Sequence, residues 1–151
     1  MNIQIEEISP MMKEVKELFR LLDEHNLSHC PADICHLTQP REMEKVNSTL
    51  LGIFHDDTLV GMGGLKYYDD YAEATRMFTL DSCRGKGLAT KLMTELEKHA
   101  LKRNLKTLKL ETSEKFIFAV KLYKKLGFEK CEAFGEYIQK PLKPYYQKYL
   151  L

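Results

Sequence analysis

Between residues 78 and 90 the chain reads FTLDSCRGKGLAT: an apolar run, then two glycines and two cations, then the first turn of an apolar-periodic segment. Gly85 and Gly87 allow a backbone to approach a ligand closely and to turn successive N–H groups to one side. Arg84 and Lys86 add full positive charges, and a helix beginning at Leu88, Ala89 and Thr90 adds the partial charge of its unpaired amides. Such a combination suits a pyrophosphate. It is neither the GxxxxGK[ST] phosphate loop nor the GxGxxG dinucleotide fingerprint. On spacing alone, a solvated glycine-rich connection explains the segment equally well.

The other reactive side chains are weaker signals. His29-Cys30 and Cys35-His36 bracket a short PADI segment and invite a zinc site. The Cys-x4-Cys spacing is loose, however, and each histidine adjoins its cysteine, which is awkward for tetrahedral chelation. No metal is expected. Cys83 lies just before the cation-lined loop, whose charge would lower a thiol pKa. Four cysteines in 151 residues are far from a disulfide framework, so free thiols in a reducing cytosol are the simplest expectation. His25, His55 and His99 read as ordinary surface positions.

The elements that must position the loop follow from periodicity. A strand over 2–8 precedes a helix running from Pro10 to about Asn26, with Ser9 as N-cap and Met11, Val15, Leu18, Phe19 and Leu22 on its apolar face. Residues 27–40 read as a loop, and a short helix follows near 41–46. STLLGIFH and TLVGMGGLKYY, joined at Asp56-Asp57, form a hairpin, and YAEATRMFTL is the next strand. Leu88, Leu92, Leu96 and Ala100 define the clearest helix. LKTLKLE is a strand, 113–127 a helix capped by Ser113 and ended by Gly127, and FEKCEAF and 145–150 supply the last strands. The order β-α-α-β-β-β-α-β-α-β-β is an α/β (α+β) fold with a mixed, mostly antiparallel sheet flanked by helices, expected as a single domain over 1–151.

Composition excludes some functions. No apolar run approaches the ~20 residues of a membrane span, and the N-terminus lacks a basic start and apolar core, so no membrane partner and a cytoplasmic location are expected. The net charge of +1 hides an asymmetry: residues 1–80 carry 7 Lys/Arg against 14 Asp/Glu, while 81–130 carry 13 against 6. One part suits an anion and the other tolerates a cation. The basic part lacks a Lys/Arg run with interleaved aromatics, so no nucleic-acid partner is expected.

With these residues in view, the chain resembles the GNAT family of N-acetyltransferases. Arg84-Gly85-Lys86-Gly87-Leu88-Ala89 matches the family's [Q/R]-x-x-G-x-[G/A] loop. YAEATRMFTLDSC looks like its central strand, and Ala119-x-x-Leu122-Tyr123-x-x-x-Gly127-Phe128 like its following helix. The resemblance implies acetyl-CoA as donor, a primary amine of a small molecule or peptide as acceptor, and direct attack in a ternary complex. It puts the coenzyme pyrophosphate on Arg84, Gly85, Lys86, Gly87, Leu88, Ala89 and Thr90, and the pantetheine arm and an oxyanion-stabilising amide at Phe78, Thr79 and Leu80, where the family's strand bulges. Tyr123 then becomes the acid that protonates the leaving thiolate, and Glu73 the leading base, with Glu111 a competitor. The acidic N-terminal part mildly favours a cationic acceptor, and the loop at 27–40 would border its cleft. Many members carry Asn three residues before the helix alanine; here it is Phe116, with Ser113 or backbone groups as substitutes. That departure keeps a non-catalytic acetyl-CoA-binding sensor as an alternative. Relatives of this size often pair, so a homodimer is a possible assembly.

Overall fold

The computed structural model describes residues 2–29, 39–45, 47–112, 116–135 and 144–150. Its elements are β1 (Ile3–Glu7), α1 (Lys13–His29), α2 (Pro40–Lys45), β2 (Ser48–His55), β3 (Thr58–Tyr67), β4 (Ala72–Thr79), a 3-10 turn (Asp81–Cys83), α3 (Leu88–Lys102), β5 (Thr107–Glu111), α4 (Ile117–Lys125), β6 (Glu129–Cys131) and β7 (Tyr145–Tyr149). This is the order read from the sequence, with a 3-10 turn added. The seven strands form one sheet in the order β1-β2-β3-β4-β5-β7-β6. Every neighbouring pair is antiparallel except β4 and β5.

Both faces of the central strands are covered, which is why β2 and β3 read as nearly continuous apolar runs rather than alternating ones. On one face α3 seats Leu88, Leu92, Met93, Leu96 and Ala100 on Leu51, Leu65, Ala72 and Ala74. On the other, Val15, Leu18, Phe19 and Leu22 of α1 pack on Leu50 and Met62, with Met43 of α2. Close approach on the α3 face depends on Gly63, where an added Cβ would meet Met77 Sδ at 2.5 Å and Leu92 Cδ2 at 2.7 Å.

The helix ends depart from the sequence reading for identifiable reasons. Ser9 accepts from the Met11 amide at 3.1 Å, closing a turn at 10–12 instead of capping α1, whose first bond runs from Lys16 N–H to the Met12 carbonyl. At its other end α1 extends to His29. Helix α4 begins at Ile117, behind Phe116 and without a side-chain cap. Ser113, named as its cap, lies outside the described residues, as do Cys30, Cys35 and His36. The expected glycine stop is present. The amides of Gly127 and Phe128 bond to the carbonyls of Lys124 and Tyr123 at 3.1 and 3.0 Å, and Gly127 has φ +98°. That is a Schellman motif, with its apolar contact made by Tyr123 against Phe128, ring centroids 5.8 Å apart.

Candidate active site

The site grows from the one parallel seam. β4 and β5 are in register only at Ala72↔Leu108 and Glu73↔Lys109. Beyond these pairs the strands part, so their C-terminal halves present unpaired backbone to each other across an open wedge. β4 leads out of the wedge into the 3-10 turn and α3, whereas β5 leads towards α4.

A bulge shapes the β4 wall. Met62 pairs with Phe78 but Gly64 with Thr75, so Arg76 and Met77 together oppose Gly63. Arg76 takes φ +57°, a left-handed conformation that costs an L residue roughly 1–2 kcal/mol. The extra residue reverses the alternation. Met77 joins the α3 side, and Phe78 turns to the α1 side. The sequence reading located the bulge near 78–80; it falls at 76–77, where the opposing Gly63 makes room for Met77. Past it, the Leu80 amide bonds to the Val60 carbonyl at 2.9 Å. Amides alternate along an antiparallel strand, so Phe78 and Leu80 face β3 while the Thr79 amide faces the wedge.

At the wedge's end stands the glycine loop. Gly85 and Gly87 have φ +78° and +75°, with nothing within 4 Å of an added Cβ at either. Gly87 caps α3 without a side-chain bond. Among the described residues the amides of 85–90 meet no backbone acceptor, the first helical bond being Lys91 N–H to the Gly87 carbonyl at 3.2 Å. Successive unpaired amides at a helix start form a concave anion cradle, and the residues present fit a pyrophosphate. Lys86 and Thr90 are exposed, Ala89 is half-buried and the Leu88 side chain is buried, so Leu88 can contribute only backbone. Arg84 is folded back, its Nε donating to the Thr79 carbonyl at 3.1 Å and Nη1 lying 3.1 Å from Asp81. Cys83 is buried in the α3-side core, which makes it a packing residue rather than an exposed thiol.

Tyr123 is 8% exposed, and burial alone pushes its phenol up to about 12. No hydrogen bond joins its hydroxyl to another described residue. Glu73, 2% exposed, sits between Ala72 and Ala74, both in the α3-side core, and therefore faces α1. The Tyr68 hydroxyl lies 3.4 Å from it. On the same face the Lys109 ammonium sits 4.9 Å from the Tyr71 ring centroid and 5.6 Å from that of Phe134, and Tyr71 stacks on Tyr68. Tyr145 bonds to Glu111; burial first, then that charge and bond, push its phenol up to about 12. Tyr71 is also raised, by burial and then by the charges of Glu73 and Asp70. The sequence reading missed this aromatic lining because its members come from β3–β4, β5, the segment after β6 and β7. It also missed His25, which is half-buried and stacked on Phe116 at 5.2 Å.

Among the described residues no three His, Cys, Asp or Glu cluster to hold a metal, and no helix is long and apolar enough to cross a membrane. A family model described as the acetyltransferase (GNAT) family matches residues 12–128. A protein of Azospirillum brasilense described as an IAA acetyltransferase is 30% identical over 149 residues, covering 97% of each chain. The N-acetyltransferase YsnE of Bacillus subtilis is 29% identical over 147 residues, 93% of this chain and 94% of that one. Among solved structures, one from Klebsiella pneumoniae described as an acyl-CoA N-acyltransferase superposes with TM-score 0.84 at 26% identity, covering 99% of this chain and 98% of the other. The PaiA N-acetyltransferase of Thermoplasma acidophilum, solved with coenzyme A, shares the fold at TM-score 0.79 and 19% identity, covering 99% of each chain. The fold thus coincides with that of an acyl-CoA N-acyltransferase. The chain belongs to the GNAT family of acetyltransferases, and is an N-acetyltransferase that uses acetyl-CoA.

Proposed function

We propose that the protein transfers the acetyl group of acetyl-CoA directly to a primary amine of a small molecule or peptide, both substrates being bound together. The observation that carries this reading is the wedge between β4 and β5, which has an amide-lined, cationic loop at one end and a buried carboxylate, Glu73, on the acceptor face. In this reading the amides of 85–90, with Arg84 and Lys86, hold the pyrophosphate, and the pantetheine arm runs along Phe78, Thr79 and Leu80. Ser113 is a further candidate for the coenzyme.

Each remaining role has a chemical reason. A protonated amine is no nucleophile, so Glu73 accepts its proton, directly or through one water. The nitrogen then bonds to the thioester carbon, charge develops on the carbonyl oxygen, and the Thr79 amide stabilises it. As the carbon–sulfur bond breaks, sulfur takes a proton from Tyr123. The second proton that the nitrogen sheds as the amide forms returns to the phenolate through water, while Glu73 releases its own to solvent. A phenol pushed up to about 12 remains protonated at neutral pH. Complete transfer to a thiolate of pKa ~8.5 is uphill in water, so the proton moves only as the departing sulfur meets the same desolvation that raised the phenol. Glu73 and Glu111 share this face with Lys66 and Lys109, so these four charges balance and do not by themselves set the acceptor's charge.

Phe116, the residue that kept a sensor in view, is taken up by its stack on His25. Acetyl-CoA consumption screened against polyamines, amino sugars, amino acids and lysine peptides, with mass-spectrometric identification of the product, tests the reading. Amide products on one amine class are expected. Bound but unconsumed acetyl-CoA across the whole panel, or acetylation of hydroxyls only, overturns it.

A further inference from the structure

Arg76 has no part in the roles above, yet it carries two of the molecule's least favourable features. Its backbone is left-handed, and its guanidinium is buried, the side chain being 2% exposed. Nη2 meets Asp23 of α1 at 2.5 Å and the Phe19 carbonyl at 3.4 Å, and the guanidinium lies 4.8 Å from the centre of the Phe19 ring. Its Nε has no partner among the described residues. The other oxygen of Asp23 accepts from Gln39 at 3.1 Å, immediately before α2. A buried ion pair often stabilises a fold no better than an apolar replacement of similar volume, so cohesion alone is a weak account of this one. What the pair does supply is geometry. A bulge relaxed by one residue would exchange the faces of Phe78 and Thr79 and turn the Thr79 amide towards β3.

We infer that the Arg76–Asp23 pair is the positioning device for acyl transfer: anchored on α1, it holds the β4 bulge so that the Thr79 amide points at the acetyl carbonyl. Gln39 ties the segment entering α2 to the same anchor. The inference rests on the assignment of the wedge to the thioester.

Infrared spectroscopy of bound acetyl-CoA labelled with 13C at the thioester carbonyl reads this device without any acceptor. A hydrogen bond to the carbonyl lowers its stretching frequency. The wild-type band is expected below that of free acetyl-CoA, and in Asp23→Asn and Arg76→Lys it returns towards the free value. With an amine that the wild type acetylates, kcat falls roughly 100-fold, the effect of a small misplacement of reacting groups, while KM for acetyl-CoA stays within about two-fold. Asp23→Glu, which retains the pair, restores most of both. Should the single variants fold poorly, Asp23→Leu/Arg76→Met removes both charges together and is also expected to lose the band shift. Calorimetric coenzyme A affinity, carried by the loop at 85–90, certifies each variant as folded. A wild-type band and rate in Asp23→Asn, or a retained shift in the double variant, overturns the inference and leaves the wedge assignment standing. A wild-type protein that binds acetyl-CoA with no band shift removes both.

Discussion

The two ends of the wedge are built by different means. In the proposed reading, recognition at the coenzyme end is by backbone: the amides of 85–90, two positive-φ glycines and a helix start, all within one stretch of chain. At the proposed acceptor end it would be by side chain, from Glu73, Lys109, Tyr71, Phe134, Glu111 and Tyr145, which come from separate elements and are held by ring contacts and a hydrogen bond. A constant ligand such as a pyrophosphate can be met by main chain, which most side-chain substitutions leave in place. A variable acceptor calls for side chains that can change without disturbing the sheet.

The largest effects should fall where the two ends meet, at the reacting atoms. Tyr123→Phe removes the proposed proton donor and little else, because the phenyl ring still packs on Phe128. A kcat lowered by roughly 10²–10⁴-fold is expected, with coenzyme affinity near wild type by calorimetry. Unchanged turnover would make Tyr123 a packing residue and water the proton donor. Glu73→Gln should cost a similar factor, and the limb of kcat/KM that rises with pH should flatten or move upward. Acceptors of different basicity must be compared before that limb is assigned, since the amine also titrates. If Glu111→Gln abolishes the limb and Glu73→Gln does not, the base belongs to β5.

Legibility in the sequence divides along the same line. The order of helices and strands, the apolar faces of α1 and α3, the glycine loop and the Gly127 stop were readable, since each is encoded by neighbours within a turn or two. The bulge at Arg76 was not, because it depends on Gly63 across the sheet. Nor was the pairing of Arg76 with Asp23, 53 residues earlier in the chain. One signal was present: a lone arginine in the apolar strand YAEATRMFTL, which the sheet had to bury on one face or the other. The aromatic lining of the acceptor end gave no local pattern at all. Tyr71, Phe134 and Tyr145 become neighbours only when β7 inserts between β5 and β6.

Smaller effects separate backbone from side chain within the coenzyme end. Gly87→Asp places a side chain at φ +75° and a negative charge beside the pyrophosphate. Losing charge-assisted amide bonds worth ~1.5–3 kcal/mol should weaken coenzyme A binding by about 100-fold in calorimetry. Arg84→Glu should cost nearer ~10-fold, because the guanidinium is already engaged by the Thr79 carbonyl and Asp81 and exposed charges are screened. An arginine variant that loses more than the glycine variant would mean that side chains carry this end too, and the contrast between the two ends would fail.

The smallest effect probes whether the ends are electrostatically independent. Tyr123 and Tyr145 are both pushed up to about 12, but for different reasons: burial alone at Tyr123, and burial with the charge and bond of Glu111 at Tyr145. Below pH ~10 the folded and unfolded chains both keep these protons, so neither tyrosine makes stability depend on pH. Between ~10 and ~12 the unfolded chain releases them while the fold retains them. Stability therefore falls with rising pH, by up to roughly 2.7 kcal/mol for each buried phenol. Glu111→Gln keeps an acceptor for the Tyr145 hydroxyl but removes the charge, so the Tyr145 titration should move down and the alkaline loss of stability become shallower. Tyr123 should not move. With eight tyrosines in the chain, absorbance would blend these titrations, and NMR of 13C-labelled tyrosine resolves them residue by residue. A Tyr123 midpoint that follows Tyr145 in Glu111→Gln would show the charge on β5 reaching α4, and the acceptor and coenzyme ends would then have to be treated as one electrostatic unit.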